Sequence, residues 1–234
     1  MRPLWRTFLS GQLSTGRLVG LGALGALAVV LGLAIGAADG ARPLDDGVVL
    51  ISSYGLSLFV PVTALVFASA ALGEPNEDAT LVYLWLRPVP RWKLVAAAAA
   101  AALTVALPAV VVPLAVAALV IGAGGSLVAA TVASCTLATV AYVGVFTWLG
   151  LRVRRALLWG LLYVLVWEGF VARVGGTASL LAIRTHATSL LARLAGTAGD
   201  LVEVSLATSL LVPVTATVAG LALATRRLQR QDVA

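Results

Sequence analysis

The chain has few of the residues from which enzyme sites and metal centres are built. Charged residues make up only 11% of its 234 residues, and it contains one histidine, one cysteine and one lysine. A single cysteine, Cys135, excludes a disulfide framework within the chain, and we expect it to be a small buried apolar residue. No phosphate-binding G-x-x-x-x-G-K-[ST] motif occurs. These absences predict a non-catalytic chain with no metal or cofactor of its own.

Apolar residues are abundant instead. They make up 61% of the chain, and the mean hydropathy is +1.03. Several apolar runs exceed the ~20 residues that a helix needs to cross a hydrocarbon core of about 30 Å. We therefore predict an all-α integral membrane protein with a single transmembrane domain, residues 1–234. The six predicted spans are residues 18–38, 48–72, 94–121, 127–151, 156–171 and 201–225.

The basic residues lie in small groups at the ends of the apolar runs. This distribution is typical of topology signals rather than of a nucleic-acid-binding surface, so no nucleic-acid partner is expected. With both termini inside, twelve of the sixteen basic residues are cytoplasmic. We predict a multi-pass protein of a bacterial inner (plasma) membrane with both termini in the cytoplasm. The twelve are Arg2, Arg6, Arg17, Arg87, Arg91, Lys93, Arg152, Arg154, Arg155, Arg226, Arg227 and Arg230.

Two segments outside the spans are amphipathic. In residues 1–17, Leu4 and Phe8 share one helical face, which predicts an interfacial helix, with a frayed basic tail as the alternative. Residues 172–200 combine arginines with short leucine groups. Either two short helices that re-enter the outer leaflet or one interfacial helix broken near residues 185–188 fits this extracytoplasmic segment. The glycines of the first span and the alanine run 96–102 predict close helix packing.

The segment 73–93 is the most polar ordered stretch of the chain. Pro75 is predicted to end the second span, and Asn76 to cap a short helix that ends at Arg87, before Pro88. Such a helix either lies on the membrane or binds a groove of a protein. Because the inner leaflet is negative and repels the acids, a protein partner is favoured. The charges are Glu74, Glu77 and Asp78 at the start and Arg87, Arg91 and Lys93 at the end.

The stretch GEPNEDATLVYLWLRPVPRWKLV resembles the loop after the second span in permeases of type-2 ABC exporters. In that family an acid closes the second span, and a second acid, a Thr–Leu pair and an R-P-[hydrophobic]-[small]-R run follow. Here these positions are Glu74, Glu77, Thr80–Leu81 and Arg87–Arg91. Pro90 replaces the small polar residue that is usual before the second arginine. The six spans, the amphipathic amino terminus and the helices before the last span extend the resemblance over the whole chain.

The resemblance implies a permease that works with two copies of a separate ABC ATPase, which carries the ATP and Mg²⁺. A second permease subunit, identical or homologous, would complete the transporter. The segment 73–93 would be the coupling helix that sits in a cleft of the ATPase, and residues 1–17 would be a connecting helix that also contacts it. The implied contact residues are Glu74, Glu77, Asp78, Thr80, Leu81, Leu84, Trp85, Arg87 and Arg91.

Two polar residues near the outer side are candidates for further roles. Glu168 lies in the outer third of the fifth predicted span, where a carboxylate is costly unless it is paired, protonated or facing water. It is either a substrate or gate contact or the partner of Arg173 or another arginine of the outer segment. His186 is expected to be an interfacial polar residue, with a proton role as the alternative.

These patterns predict the permease subunit of an ATP-binding-cassette exporter. Because the spans contain few charges, an apolar or amphipathic substrate is expected. The alternative is a non-transporting membrane anchor or assembly subunit that docks a cytosolic protein through residues 73–93. A secondary transporter is a third possibility, but it normally shows intramembrane ion-coupling residues or paired broken helices.

Overall fold

A computed structural model of the chain describes residues 5, 8, 9, 11, 12, 14–77, 90–170, 176–197 and 204–230, without the side chains of 74–77 and 176–178. All regular structure in this part is helical. The helices are α1 (Thr15–Gly36), α2 (Pro43–Leu50), α3 (Val60–Glu77), α4 (Arg91–Ile121), α5 (Gly125–Arg152), α6 (Ala156–Leu162), α7 (Ile183–Ala195) and α8 (Leu206–Arg230). Two π-helical stretches, Ile51–Phe59 and Tyr163–Glu168, and a 3₁₀-helix, Gly176–Leu181, complete the regular structure.

Five helices among the described residues are long and apolar enough to cross a membrane, which confirms an all-α protein of membrane-spanning type. The fifth predicted span is shorter than the others: seven residues of α6 continue into six residues of π-helix. At about 1.5 Å per residue this stretch is roughly 20 Å long, less than a hydrocarbon core. The five long helices are Thr15–Gly36, Pro43–Gly73, Arg91–Ile121, Gly125–Arg152 and Leu206–Arg230.

The second span begins earlier than predicted from the sequence, at Pro43 instead of residue 48. Pro43 occupies the first turn of α2, where its missing N–H is not needed, and Asp45 and Asp46 occupy the same turn. The Asp46 carboxylate accepts a hydrogen bond from the Arg42 N–H at 2.8 Å. Carboxylates stabilise the positive end of a helix dipole, so these acids start a helix instead of forming a loop.

The prediction that Pro75 ends the second span is wrong. Helix α3 continues through Pro75 to Glu77, and Asn76 is therefore a helical residue and not the cap of a new helix. A proline lacks one N–H donor and crowds one preceding carbonyl. A single proline within the last turn therefore leaves the remaining helical hydrogen bonds in place. A short turn joins α4 to α5, and Gly122 ends α4 with a φ of 81°.

Helix α5 lies at the centre of the bundle and contacts α3, α4, α7 and α8. Small residues bring the helices close at these contacts. A side chain at Gly144 would place its Cβ 2.7 Å from the Thr217 Cα, and one at Gly150 would lie 2.6 Å from the Ser69 carbonyl. In lipid, where apolar contact alone gives no preference for another helix, such close approach favours helix association.

The predicted close packing of the first span is confirmed for three of its glycines. Gly25, Gly32 and Gly36 contact Pro113, Ala117 and Val120 of α4 in that order, so α1 and α4 run parallel. Gly20 and Gly22 have no atom within 4 Å of a Cβ position. Within the alanine run, Ala97–Ala99, Ala101 and Ala102 are buried inside the chain.

Before the last long helix the chain forms two short helices that meet at Ala182, the 3₁₀-helix and α7. This arrangement fits the alternative with two short helices, whose re-entry into the outer leaflet stays a prediction, whereas a break near residues 185–188 is wrong. Those residues lie inside α7, and His186, Ala187 and Thr188 are buried there. Helix α7 packs on α5 and α8 and is covered on most sides rather than on a single amphipathic face.

The helical residues near the amino terminus pack on one end of the bundle. Phe8 is buried in a cluster with Leu94, Leu151 and Leu228, which we call the basal cluster, and Trp5 packs against it. The Trp5 indole N–H also donates to the Thr104 hydroxyl at 3.2 Å. The described part of residues 1–17 therefore lies across α4, α5 and α8, while its position in a membrane interface stays a prediction.

Candidate functional site

Three of the nine implied coupling residues lie at the ends of two long helices. Glu74 and Glu77 belong to the last turn of α3, and Arg91 is the first residue of α4 and half-buried. The remaining six lie outside the described residues. These six are Asp78, Thr80, Leu81, Leu84, Trp85 and Arg87.

The two helices that flank this segment meet at the basal cluster, through Leu72 of α3 and Leu94 of α4. Basic residues collect at the same end, because α5 finishes at Arg152 and α8 at Arg230. Trp92 is half exposed beside them, and the Lys93 ammonium lies 5.6 Å from the centre of its ring. We call this the arginine end of the bundle.

A second polar site lies away from the arginine end, around Glu168. This residue is the last of the π-helical stretch Tyr163–Glu168 and is only 1% exposed. Short π-helical segments inside longer helices are uncommon and are frequent at functional sites. A carboxylate buried among apolar helices is costly unless its oxygens receive hydrogen bonds, so its partners decide its role.

Three donors of the same chain point at the Glu168 carboxylate. The Tyr163 hydroxyl donates to Oε1 at 3.1 Å, and the Ile183 N–H donates to the same oxygen at 3.2 Å. The Arg184 N–H donates to Oε2 at 3.3 Å. The Arg184 guanidinium also donates from Nη1 to the main-chain carbonyl of Glu168 at 3.3 Å. Both carboxylate oxygens are therefore used within the chain.

These contacts make Glu168 the cap of a distant helix. Ile183 and Arg184 are the first two residues of α7, and Ala182, at the N-cap position, has no side chain that could accept their N–H bonds. The first N–H groups of a helix lack intrahelical partners, and a negative charge there also suits the helix dipole. Glu168, fifteen residues before Ile183, supplies both the hydrogen-bond acceptor and the negative charge.

Aromatic side chains cover this carboxylate. The Tyr142 and Phe146 rings of α5 stack with centroids 5.7 Å apart, and Phe146 meets the Tyr163 ring edge-on at 6.1 Å. The Tyr142 hydroxyl lies near Glu168 but reaches no hydrogen-bond geometry with any described residue. Phe146 therefore packs against both Tyr142 and the ring whose hydroxyl donates to Glu168.

The geometry favours a positioning role for Glu168 over a gate contact. Its oxygens bond donors of its own chain, which leaves little capacity for a substrate. Of the predicted arginine partners, Arg173 lies outside the described residues, and Arg184 donates its N–H to the carboxylate and its Nη1 to the main-chain carbonyl of Glu168. Sequence reasoning missed Tyr142 and Tyr163, although a tyrosine inside an aliphatic run is a recognisable signal of a buried hydrogen bond.

His186 and Cys135 are both interior residues. His186 is 1% exposed, and its Nε2 lies 2.8 Å from the Leu180 carbonyl, so it joins α7 to the preceding 3₁₀-helix. His186 is therefore covered by the protein, and its depth in the membrane stays a prediction. Cys135 is fully buried with its thiol free, as predicted.

Four buried serine and threonine hydroxyls of α5 are satisfied within the helix itself. Each donates to the carbonyl four residues before it, with oxygen separations of 2.7 to 2.8 Å. A helix whose hydroxyls bond its own backbone offers few free polar groups to a passing solute. The four residues are Thr131, Ser134, Thr139 and Thr147.

No protein-family model matches the chain, and no curated protein matches it significantly. Within the described part of the chain, no three histidine, cysteine, aspartate or glutamate side chains are grouped so that they could hold a metal ion.

Proposed function

We propose that the chain is the membrane-spanning permease subunit of an ATP-driven exporter of the type-2 ABC kind. The observation that carries this proposal is the charged segment 73–93, whose sequence resembles a coupling helix and which joins two long helices at the arginine end. A separate ATPase, present in two copies, supplies ATP and Mg²⁺ chemistry. A second permease subunit, identical or homologous, completes the transporter.

The lengths of the flanking helices support this role. The helical stretches Pro43–Gly73 and Arg91–Ile121 each contain 31 residues. At about 1.5 Å per residue each is roughly 46 Å long, which exceeds a hydrocarbon core of about 30 Å. Helix α3 then continues to Glu77. The ends that carry Glu77 and Arg91 thus project beyond the core, where a soluble partner has access to them.

The arginine end supports an orientation. Basic residues flanking membrane spans favour the cytoplasmic side, so the arginine end faces the cytoplasm and the Glu168 end faces outward. Both termini are then cytoplasmic in a bacterial inner membrane. The packing of Trp5 and Phe8 beside the basal cluster fits a connecting helix next to the coupling segment.

A six-span topology is part of the same proposal. Residues 156–171 form the fifth crossing although the described helix is short, and the 3₁₀-helix and α7 re-enter the outer half before α8 crosses back. Glu168 joins the end of the fifth crossing to the start of α7. In this arrangement the carboxylate fixes the outer end of the bundle.

The proposed cargo is apolar or amphipathic. Four buried hydroxyls of α5 bond their own backbone, and the buried carboxylate accepts hydrogen bonds from Tyr163, Ile183 and Arg184. Neither feature presents a free polar group to a hydrated ion or a sugar. Compounds that dissolve in the bilayer suit such helices better.

The test is reconstitution of the permease with its co-purifying ATPase in vesicles. We expect Glu77→Ala and Leu84→Ala to lower cargo-stimulated ATP hydrolysis and transport about tenfold, while basal hydrolysis and folding stay unchanged. Asp45→Ala, an acid substitution at the other end of the same helical stretch, is the matched control and should leave coupling intact. Wild-type transport by both coupling variants would remove the assignment of residues 73–93.

A further inference from the structure

The turn between α5 and α6 contains an arginine in an unusual backbone conformation. Arg155 has φ 57° and ψ 49°, and in the described part of the chain it is the one residue other than glycine with a positive φ. Glycine or asparagine adopts this left-handed conformation more readily than arginine, whose Cβ crowds the backbone. Strain of this kind persists where the side chain is needed. The exposed guanidinium of Arg155 is therefore a candidate for a specific contact.

The charge of Arg155 also lies at the unfavourable end of its helix. Arg155 is the N-cap residue of α6, which continues into the π-helical stretch Tyr163–Glu168. The amino end of a helix is the positive end of its dipole and disfavours a cation. The preference for basic residues on the cytoplasmic side would be met equally by an arginine in an ordinary backbone conformation. Something else near this turn therefore has to favour the positive charge.

The last turn of α3 has the opposite arrangement of charge. Glu74 and Glu77 lie in this turn, and no basic residue of α3 shares it. The carboxyl end of a helix is the negative end of its dipole and disfavours an anion. Each of the two helix ends thus carries the charge that its own dipole disfavours. The two charges can stabilise each other if the helix ends lie together.

The backbones of α3 and α5 touch just before α5 ends at Arg152. A Cβ at Gly150 would lie 2.6 Å from the Ser69 carbonyl oxygen, and one at Gly73 would lie 3.2 Å from the Gly150 carbonyl oxygen. Residues four apart lie on the same side of a helix, so Glu77 follows Gly73 on the side of α3 that meets α5. The distance along the helix is one turn, about 5.4 Å.

Helix α6 packs on α3 as well. A Cβ at Gly160 would meet the Leu65 side chain, and Ala156, the first residue of α6, is buried. Helix α5 thus reaches α3 beyond Ser69, and α6 runs back along α3 to Leu65. The turn of residues 153–155 therefore lies beside the last turns of α3. A side chain as long as arginine can span the remaining turn to Glu77.

We propose that Arg155 forms an ion pair with Glu77 and so holds the end of α3 at which the segment 73–93 begins. The guanidinium donates to the carboxylate, and each charge offsets the unfavourable dipole interaction of the other. Ion pairs at exposed positions are weak, so a partner that binds the segment 73–93 can take Glu77 over from Arg155. Only this exchange of partners rests on the proposed function, because the ion pair lies within the chain.

The test is hydrogen exchange of the Asn76 main-chain amide, in the last turn of α3, measured by NMR on the full chain in mixed micelles without a partner. Arg155→Glu should speed this exchange roughly threefold, the size expected for an exposed pair. Arg230→Glu makes the same charge change at the exposed end of α8 and should leave the exchange unchanged. Equal exchange in the two variants would overturn the proposal. Because no ATPase is present, that result would leave the exporter assignment untouched.

Further variants separate the charge of Arg155 from its backbone conformation. In a Glu77→Arg chain, Arg155→Glu should slow the exchange of the Asn76 amide, because the pair is restored with its signs exchanged. Arg155→Gly relieves the backbone strain but removes the guanidinium, so it should also speed the exchange. In 1 M salt, where the Debye length is about 3 Å, the differences between wild type and variants should disappear. Unchanged exchange in Arg155→Gly, or the same direction of change in both Arg155→Glu backgrounds, contradicts the ion pair.

Discussion

At the Glu168 end of the bundle a single carboxylate receives hydrogen bonds from Tyr163, Ile183 and Arg184 and is 1% exposed. At the arginine end, Arg152, Arg154 and Arg230 form no ion pair with any described residue, and the charged segment begins beside them. The carboxylate at the Glu168 end is therefore bonded inside the chain, whereas these three arginines are exposed. The difference separates residues that hold the fold from residues available to a partner.

The contrast also reflects the surroundings of each end. Inside an apolar bundle an unpartnered polar group costs free energy, so the sequence supplies a partner for Glu168 in α7. At a membrane surface, water and lipid headgroups solvate arginines, and the same requirement is absent. Substitutions at the Glu168 end should therefore change stability, and substitutions at the arginine end should change association.

The largest expected effect is that of Glu168→Leu. It removes the acceptor of two α7 N–H groups and of the Tyr163 hydroxyl, and we expect the free energy of unfolding to fall by about 3 kcal/mol. Equilibrium unfolding in mixed micelles measures this loss. Glu168→Gln, which keeps an acceptor oxygen, should cost about 1 kcal/mol and leave transport unchanged. A fully stable Leu variant would contradict the capping role, and loss of transport in a stable Gln variant would restore the gate interpretation.

Tyr163→Phe should have a smaller effect, a loss of about 1 kcal/mol for one hydrogen bond. Tyr54→Phe is its matched control, because the Tyr54 hydroxyl donates to the Leu24 carbonyl at 2.7 Å in another part of the bundle. Hydrogen exchange distinguishes the two variants. Only Tyr163→Phe should increase exchange of the Ile183 and Arg184 amides, and equal exchange in both would show that Tyr163 does not support the cap.

Hydropathy predicts most of the fold because lipid imposes a simple rule. A helix is the form in which a single segment satisfies its own backbone hydrogen bonds in hydrocarbon, so long apolar runs such as residues 94–121 become helices. The residues at helix starts also allow the helix boundaries to be predicted from the sequence. Pro43 with Asp45 and Asp46 has the residues of a helix start, which places the beginning of the second span correctly.

The site was less predictable because its contacts are distant in sequence. Glu168 could be singled out as a costly carboxylate, but no local pattern shows that its oxygens bond N–H groups fifteen and sixteen residues later. The burial of His186 likewise depends on how α7 packs against α5 and α8. Pro75 shows that a local signal can also mislead, since a proline often ends a helix but this helix continues to Glu77.

The smallest expected effect on stability is that of Glu77→Gln at the arginine end. Because Glu77 lies at the end of α3 and the proposal assigns it to a partner, the free energy of unfolding should change by less than about 0.5 kcal/mol. The same micelle unfolding experiment measures it beside Glu168→Gln. A loss as large as that of Glu168→Gln would mean that both ends are structural, and the comparison would fail.

The most direct test of the central claim is to identify what binds residues 74–93. The chain is purified in mild detergent from its native host after cross-linking, and the cross-linked peptides are identified by mass spectrometry. The proposal predicts a stoichiometric ATPase with a phosphate-binding loop, cross-linked to this segment. A different cytosolic protein at this position, or none, would contradict the exporter assignment and favour the non-transporting anchor.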